Sequence, residues 1–204
     1  MELILFTSSD KFRSEIYIVL KMFENGLETL HIKKPDFSKK QLNNYLELIP
    51  KKHHNKIVIH SHYSLALRHK IKGLHLSTSF RDSNIFYKKY IFLLKLLKPN
   101  MIFTCSYHNL DQLLNHDNIY SYAFLSPIFN SDGTLNNKFT KDSINTTISQ
   151  INIKSFALGG VTESNFKIIK SMNFNGIALM GSIWYGNDQP IELFLKAKKY
   201  INVL

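Results

Sequence analysis

Short runs of β-branched and other apolar residues alternate along the chain with longer stretches whose apolar residues recur every three or four positions. The short runs predict buried strands, and the longer stretches predict amphipathic helices. In the first helical stretch, Val19, Leu20 and Phe23 have this spacing, and Gly26 follows as a natural stop. Ser38 is a candidate N-cap for the next helix. Eight such pairs in 204 residues give about 25 residues per unit.

The eight pairs predict one α/β domain. The predicted strands are Glu2–Thr7, Thr29–Lys33, Lys56–Ser61, Gly73–Ser77, Met101–Ser106, Ser121–Phe129, Ser155–Leu158 and Gly176–Met180. The predicted helices are Lys11–Phe23, Ser38–Leu48, Tyr63–His69, one inside Asn84–Leu97, Leu110–His116, Lys141–Gln150, Glu163–Met172 and Ile191–Tyr200. This order implies a small (β/α)₈ TIM barrel, with a doubly wound open sheet as the alternative. Without a break in composition, residues 1–204 are expected to form a single domain.

The composition is that of a globular protein. With 26 Lys+Arg against 15 Asp+Glu the net charge is +11, and 23 of the basic residues are lysine. This excess either attracts phosphorylated substrates or forms a solvated surface. No basic run contains interleaved aromatics and glycine, so we do not expect a nucleic-acid partner. One cysteine excludes a disulfide framework, and no apolar run reaches the roughly 18–20 residues of a membrane span. With no basic n-region at the start, we expect a cytoplasmic protein.

Polar residues recur two positions apart where four successive predicted strands end. The pairs are His31 with Lys33, His60 with His62, His75 with Ser77, and Ser106 with His108. Residues two apart on a strand share a face, and barrel active sites lie at the carboxyl ends of the strands. A covered parallel strand is otherwise almost entirely apolar. The pairs therefore predict a polar pocket at this end of the barrel.

Small residues follow the seventh and eighth predicted strands. This set contains Gly159, Gly160, Met180, Gly181 and Ser182. Small residues let backbone N–H groups approach a ligand, and the N-terminus of a following helix favours an anion. Since these two loops are the usual phosphate site of such barrels, we expect a phosphate-binding cup here.

Six segments, in order, resemble the family of thiamine-phosphate synthase and its sibling, the TenI-type thiazole tautomerase. They are HIKKP (31–35), GLHLS (73–77), CSYH (105–108), YAFLSPIF (122–129), ALGGV (157–161) and GIALMGSIW (176–184). The resemblance implies a barrel and a small substrate that carries a thiazole phosphate. In the synthase, diphosphate leaves a hydroxymethylpyrimidine with the assistance of Mg²⁺. The thiazole nitrogen then attacks the pyrimidine cation.

The resemblance also implies substrate-binding residues. Lys33 falls on an arginine of the family, His31 on a polar residue two positions before it, His60 on a pyrimidine-binding asparagine, and Ser106 on a serine near the diphosphate. Gly160, Met180 and Gly181 fall on the backbone cradle of the thiazole phosphate. To these we add Lys34, next to a position where the family has lysine, and Ser131 and Thr134. The last two lie in the turn-rich loop 130–137, which we interpret as a mobile lid.

The diagnostic residues of both siblings are absent from their usual places. The aspartates that bind Mg²⁺ in the synthase would fall on Ser61 and Phe80, which leaves Asp82 as a displaced candidate ligand. The acid/base histidine of the tautomerase would fall on Pro127. Because histidine titrates near neutrality, we predict that His60 and His108 supply acid and base from neighbouring strands.

Several functions stay open at this point. Coupling of the two substrates is the main expectation, with tautomerisation or non-catalytic binding of thiazole phosphate as alternatives. His60-Ser61-His62 also has the HxH form of a metal-dependent hydrolase, although that chemistry would call for a carboxylate nearby. Trp184 and Tyr185 form either an interface patch of a homodimer or a cap on the barrel mouth.

Overall fold

The strands of the protein close into a parallel barrel, as their alternation with helices predicts. A computed structural model describes residues 1–10, 14–83, 86–186 and 189–203. The strands are β1 (Glu2–Phe6), β2 (Leu30–Ile32), β3 (Ile57–Ile59), β4 (Gly73–His75), β5 (Ile102–Tyr107), β6 (Tyr122–Leu125), β7 (Lys154–Leu158) and β8 (Gly176–Leu179). Each strand pairs with the next, and β8 closes on β1. This closure excludes the doubly wound open sheet.

Helices connect the strands. They are α1 (Glu15–Glu24), α2 (Lys39–Glu47), α3 (Thr78–Ser83), α4 (Tyr87–Leu97), α5 (Leu110–Leu114), α6 (Lys141–Gln150), α7 (Phe166–Lys170), α8 (Gly181–Trp184) and α9 (Pro190–Val203). Short 3₁₀ helices cover Lys51–Lys56, Tyr63–Leu67 and Glu163–Asn165. None of the described helices is both long enough and apolar enough to cross a bilayer.

The helix predictions differ from the structure mainly at short elements. The predicted helix Tyr63–His69 is a 3₁₀ helix, and neither α3 nor α8 is predicted from the pattern of apolar residues. Residues 11–13 of one predicted helix and residues 84–85 of another lie outside the described residues. Two predicted helix boundaries are confirmed. Ser38 caps α2, accepting a hydrogen bond from the Gln41 N–H, and Gly26 follows α1 with a φ of +86°.

The predicted strands extend beyond the observed strands where polar residues follow. The predicted strand Ser121–Phe129 ends at Leu125 because Pro127 has no N–H to donate to a neighbouring strand. The loop 130–137 that follows is folded on itself. Phe129 and Leu135 form an antiparallel bridge, and Asp132 accepts hydrogen bonds from the N–H and the hydroxyl of Thr134.

The barrel interior is divided between an apolar side and a polar side. Ile4, Phe6, Phe124, Phe156 and Ala178 form a buried cluster inside β1 and β6–β8, together with Tyr122. His31 and His75, which belong to the predicted strand-end pattern, are buried on β2 and β4, and Thr104 is buried on β5. Trp184 also contributes to the buried core. It is 5% exposed and donates to the Phe6 carbonyl, so it is not the surface patch considered above.

An ion pair at the start of the chain fixes the loop after β1 to the loop after β2. Lys34 Nζ lies 2.8 Å from Glu15 Oε2, and both side chains are almost fully buried. The same ammonium group donates to the carbonyls of Ser8 and Asp10. Glu15 accepts from the Ser8 N–H and from the Tyr45 hydroxyl. Each charge is thus surrounded by hydrogen-bond partners.

The Lys34→Met variant should lose about 3–5 kcal/mol of unfolding free energy, because it leaves the Glu15 carboxylate buried without its cation. Urea unfolding measures the loss. Adding Glu15→Gln should restore part of the stability, since it removes the unpaired charge. The exposed pair of Lys154 and Glu2 is the matched control, and Lys154→Met should change stability little. Equal losses in the two lysine variants would contradict this account.

Candidate active site

A cup of small residues lies at the carboxyl ends of β7 and β8, where the sequence predicts it. Gly159 and Gly160 have φ angles of +88° and +64°, which favour glycine. Their carbonyls are held by other segments, since Phe129 N–H donates to Gly159 and the Asn165 amide donates to Gly160. Neither carbonyl oxygen is therefore free to face an anion in the cup.

The cup opens into a cavity of about 360 Å³. Its lining includes Gly159, Gly160, Met180, Gly181 and Ser182, all predicted to bind phosphate, together with Phe6, Lys33 and Ser126. The Ser182 hydroxyl is buried and has no hydrogen-bond partner in the described part of the chain. Lys33 is exposed and contributes a cation to the same cavity. The cavity therefore combines a turn of small residues, an unpartnered hydroxyl and an ammonium group, which suits a phosphate group.

Three imidazoles pack together beside this cavity, from the ends of β2, β3 and β4. His31 Nδ1 and His60 Nε2 share a hydrogen bond of 2.9 Å, and the rings of His60 and His75 stack with centroids 4.2 Å apart. Phe6 joins the cluster to the cavity, because its ring lines the cavity and stacks on His31. Ser106 lies next to the cluster, with its hydroxyl 3.4 Å from His75 Nε2. We call His31, His60 and His75 the histidine cluster.

Burial keeps the histidine cluster neutral. Desolvation lowers the pKa of His31 and of His60 well below the ordinary value, and the other imidazoles add to the effect. The pKa of His75 falls to about 3, through desolvation and through the positive charges of Lys33 and Arg81. His60 is thus held as a neutral base at pH 7, whereas the sequence argument expects a histidine that titrates near neutrality.

The predicted acid/base pair of His60 and His108 is not assembled. His108 is exposed, and its Nδ1 donates to the Ser126 carbonyl at 2.7 Å. His60 instead contacts His31, His75 and Phe6. The error arises because β5 ends at Tyr107, so the alternation of faces no longer governs the side chain of His108.

Three other predicted roles need correction. Lys34 is predicted to bind substrate, but its ammonium group is buried and committed to Glu15 and to two carbonyls in this structure. The Thr134 hydroxyl donates to Asp132 within its own loop, and Ser131 is exposed beside it without lining the cavity. His62 has a φ of +50° and bonds to the Phe37 carbonyl, so the HxH pair does not converge on one metal. Loop contacts of this kind leave no periodic pattern in a sequence.

Sequence reasoning misses three residues of the site. Tyr122 bonds to His31 Nε2 at 2.6 Å, and Thr104 bonds to His75 Nδ1 at 2.9 Å. Arg81 reaches across from α3 and donates to the Ser106 carbonyl. Tyr122 precedes Phe124 by two positions, so the same alternation of faces places it inside the barrel with Phe6. Nothing comparable indicates Arg81, since α3 itself is not predicted.

Comparison with known proteins places this geometry in a family. A sequence model described as thiamine monophosphate synthase (TMP-TENI) matches residues 3–183. The chain belongs to the thiamine monophosphate synthase family. A thiamine-phosphate synthase of Vibrio campbellii (strain ATCC BAA-1116) is 27% identical over 135 residues, or 65% of this chain. The match spans only 63% of the length of that relative.

Solved structures agree on the fold. The thiamine phosphate pyrophosphorylase of Bacteroides thetaiotaomicron is similar with a TM-score of 0.78 and 29% identity, over 100% of this chain and 98% of the other. That of Pyrococcus furiosus also has a TM-score of 0.78, over 99% of this chain and 96% of the other. With an identity of 15%, it supports the fold alone.

The positions that the resemblance to the thiamine monophosphate synthase family assigns to Mg²⁺ carry no carboxylate in this chain. Ser61 is half-buried after β3, and Phe80 packs against Tyr63 with ring centroids 4.8 Å apart. Asp82, the displaced candidate, is exposed on α3. Among the described residues, the histidine cluster is the one group of three or more potential metal ligands.

Gly160→Ala should disrupt the cup. An added Cβ would lie 2.6 Å from the Phe129 carbonyl oxygen, besides the strain of a positive φ. We expect at least a tenfold weaker affinity for thiazole phosphate, measured by calorimetry. Gly133→Ala is the matched control, because Gly133 has a φ of +84° but open space around its Cβ position. An equal loss of affinity in both variants would show that strain, not the cup, is responsible.

The histidine cluster should make the protein less stable in acid. The pKa of His75 is about 3 when folded and near 6.5 when unfolded, so below pH 6.5 the unfolded chain binds the proton first. His75 alone should then remove about 2 kcal/mol of unfolding free energy between pH 7.5 and pH 5. Urea unfolding of chelator-treated protein at both pH values measures this loss. His75→Gln should lose less on acidification, and an unchanged pH dependence would contradict the assignment.

Proposed function

We propose that this protein is a thiamine-phosphate synthase, joining hydroxymethylpyrimidine diphosphate to thiazole phosphate and releasing diphosphate. The observation that carries the proposal is the cavity shared by the glycine cup and Lys33. One cavity can thus hold a retained phosphate at the cup while a cation faces a second phosphorylated group. Family membership supports the same choice of substrates.

The cup is suited to the phosphate that is retained. Backbone N–H groups in a left-handed turn and at the first turn of α8 donate to an anion without adding a charge. The Ser182 hydroxyl, which has no partner in the described structure, adds a further donor. Such an arrangement holds the thiazole phosphate in one orientation, with the ring directed toward Phe6 and the barrel centre.

The leaving diphosphate needs positive charge at the part of the site away from the cup. Lys33 is exposed at the cavity, and Arg81 is half-buried with its guanidinium at the Ser106 carbonyl. Both charges reach the vicinity of His75, whose pKa they lower. Fixed cations at the point where negative charge develops stabilise the transition state of such a departure.

The barrel interior suits the pyrimidine cation that departure would leave. Phe6 presents an aromatic face, which attracts cations, beside imidazoles that burial holds neutral. His60, on the family position that binds pyrimidine, offers a ring nitrogen for a hydrogen bond. A neutral imidazole donates or accepts without repelling the cation, so the thiazole nitrogen can attack while the two rings stay aligned.

Magnesium is the metal that the family implies, and the residues present do not fit it. Mg²⁺ prefers oxygen ligands in octahedral geometry, usually with carboxylates. The two expected aspartate positions carry Ser61 and Phe80, and Asp82 is exposed on α3, outside the lining of the cavity. Binding of the leaving diphosphate is therefore assigned to Lys33 and Arg81.

The loss of those carboxylates also favours a second candidate, a protein that binds thiazole phosphate or thiamine phosphate without turnover. This candidate keeps the cup and needs nothing from the histidine cluster. Tautomerisation of a thiazole carboxylate phosphate is the remaining alternative, with His60 as its neutral base.

Mass spectrometry of one incubation series separates these functions. The full chain receives thiazole phosphate and pyrimidine diphosphate, with Mg²⁺ in one arm and chelator in the other. Formation of thiamine phosphate in either arm supports the synthase, and the comparison of arms shows whether Mg²⁺ is needed. No product in both arms, with thiazole phosphate still bound, overturns it in favour of the binding protein. Conversion of the thiazole carboxylate phosphate tautomer would instead establish the tautomerase.

Lys33→Gln should lower the rate of coupling by about 100-fold, because it removes a cation from the leaving group. The affinity for thiazole phosphate should fall much less, since the cup holds that substrate. Lys89→Gln, on the exposed face of α4, is the control for the loss of one positive charge. Equal rates in the two variants would show that Lys33 acts only through the net charge of the surface.

A further inference from the structure

We propose that His31, His60 and His75 bind one first-row transition-metal ion of the Zn²⁺ type. The site is distinct from the Mg²⁺ positions implied by the family, and the inference does not depend on the proposed coupling reaction. It uses three side chains that come from three neighbouring strands and converge inside the barrel.

The distances are close to those of a metal site. The three candidate ligand nitrogens lie within 4.8 Å of one another. Tetrahedral Zn²⁺ with bonds of about 2.0–2.1 Å needs nitrogens about 3.3 Å apart. His31 Nδ1 and His60 Nε2 are already 2.9 Å apart and share a single proton. After small rotations of the rings, a metal ion would take the place of that proton, and His75 would become its third ligand.

The remaining nitrogens of two of these rings are already occupied in the way that metal-binding histidines require. His31 Nε2 lies 2.6 Å from the Tyr122 hydroxyl, and His75 Nδ1 lies 2.9 Å from the Thr104 hydroxyl. Such contacts orient the ring and direct the other nitrogen toward the ion. Because Tyr122 and Thr104 lie on β6 and β5, the barrel itself fixes these orientations.

The ligand set selects the class of metal. Imidazole nitrogens suit Zn²⁺, Co²⁺, Ni²⁺ and Cu²⁺, whereas Mg²⁺ and Ca²⁺ require oxygen ligands. The cluster has no carboxylate member within the described residues, so an ion held there would be the only full charge inside it. Three protein ligands also leave a fourth position, which is typical of sites that bind water or substrate.

His60 gives that fourth position a route to solvent. It is half-buried, whereas His31 and His75 are buried. Phe6 stands between the cluster and the cavity and touches both His31 and His60. An ion on the cluster would therefore be separated from the cavity by the side chain of Phe6.

The test is metal binding by the full chain after treatment with chelator. Zn²⁺ is titrated by calorimetry, and Co²⁺ is titrated while its visible absorption is followed. We expect one ion per chain with micromolar or tighter affinity and a Co²⁺ spectrum of four- or five-coordinate intensity. His31→Asn and His75→Asn should each weaken binding at least 100-fold. Tyr122→Phe keeps all three ligands and should weaken it about 10- to 100-fold.

Controls exclude adventitious binding, since the chain has nine histidines. His62→Asn and His116→Asn change histidines whose ring nitrogens bond elsewhere, and Asn tolerates the positive φ of residue 62. Both variants should bind Zn²⁺ as the unmodified chain does. Circular dichroism establishes that each variant is folded. Millimolar affinity, or equal affinity in His75→Asn and His62→Asn, would overturn the proposal, as would a Co²⁺ spectrum of six-coordinate intensity.

Discussion

The hydrogen bond between His31 and His60 follows from the main constraint on this barrel, which is that side chains pointing into its interior must find partners there. The interior of eight parallel strands is narrow, and each side chain that points inward must find a partner there. On β1 and β6–β8 the partners are other apolar groups, such as Phe124 and Phe156. On β2–β5 they are imidazoles and hydroxyls, most of them buried, and buried polar groups must find hydrogen-bond partners among one another. The polar half of the interior is therefore a connected network, and its members cannot be changed one at a time without cost.

The same constraint links the histidine cluster to the glycine cup. Phe6 packs on His31 from one side and lines the cavity on the other, and its carbonyl accepts a hydrogen bond from buried Trp184 after β8. Gly160 is held against Phe129 and Asn130, which follow β6, so its backbone approaches the cavity wall closely. The cup and the cluster thus share one framework of strand ends, although no side chain belongs to both.

The sequence predicts the periodic parts of this protein well. The order of strands and helices, the closed barrel, the cap at Ser38 and the small residues after β7 and β8 follow from spacing that the barrel imposes along its whole length. His31 and His60 were expected at the polar end of the interior, and they lie there. The failures begin where strands end. His62 and His108 lie just beyond the ends of β3 and β5, and their rings bond to the carbonyls of Phe37 and Ser126 in neighbouring loops. Lys34 was misjudged for a different reason, because its partner Glu15 is 19 positions away and only the fold brings the two together.

In one region, the site combines two positions that lack a carboxylate with three potential nitrogen ligands. Ser61 and Phe80 remove two carboxylates from the positions that the family uses for Mg²⁺, while His60 directly precedes one of them. Keeping one carboxylate beside the histidine cluster would raise the pKa of its imidazoles and hold a proton in the cluster. Without such a carboxylate, burial keeps the imidazoles neutral, and the positive charges of Lys33 and Arg81 lower the pKa of His75 further. Neutral imidazoles carry free lone pairs, and lone pairs bind either a substrate nitrogen through a shared proton or a transition metal directly. The missing carboxylates and the three buried imidazoles therefore act in the same electrostatic direction, because both leave nitrogen lone pairs that no proton occupies at neutral pH.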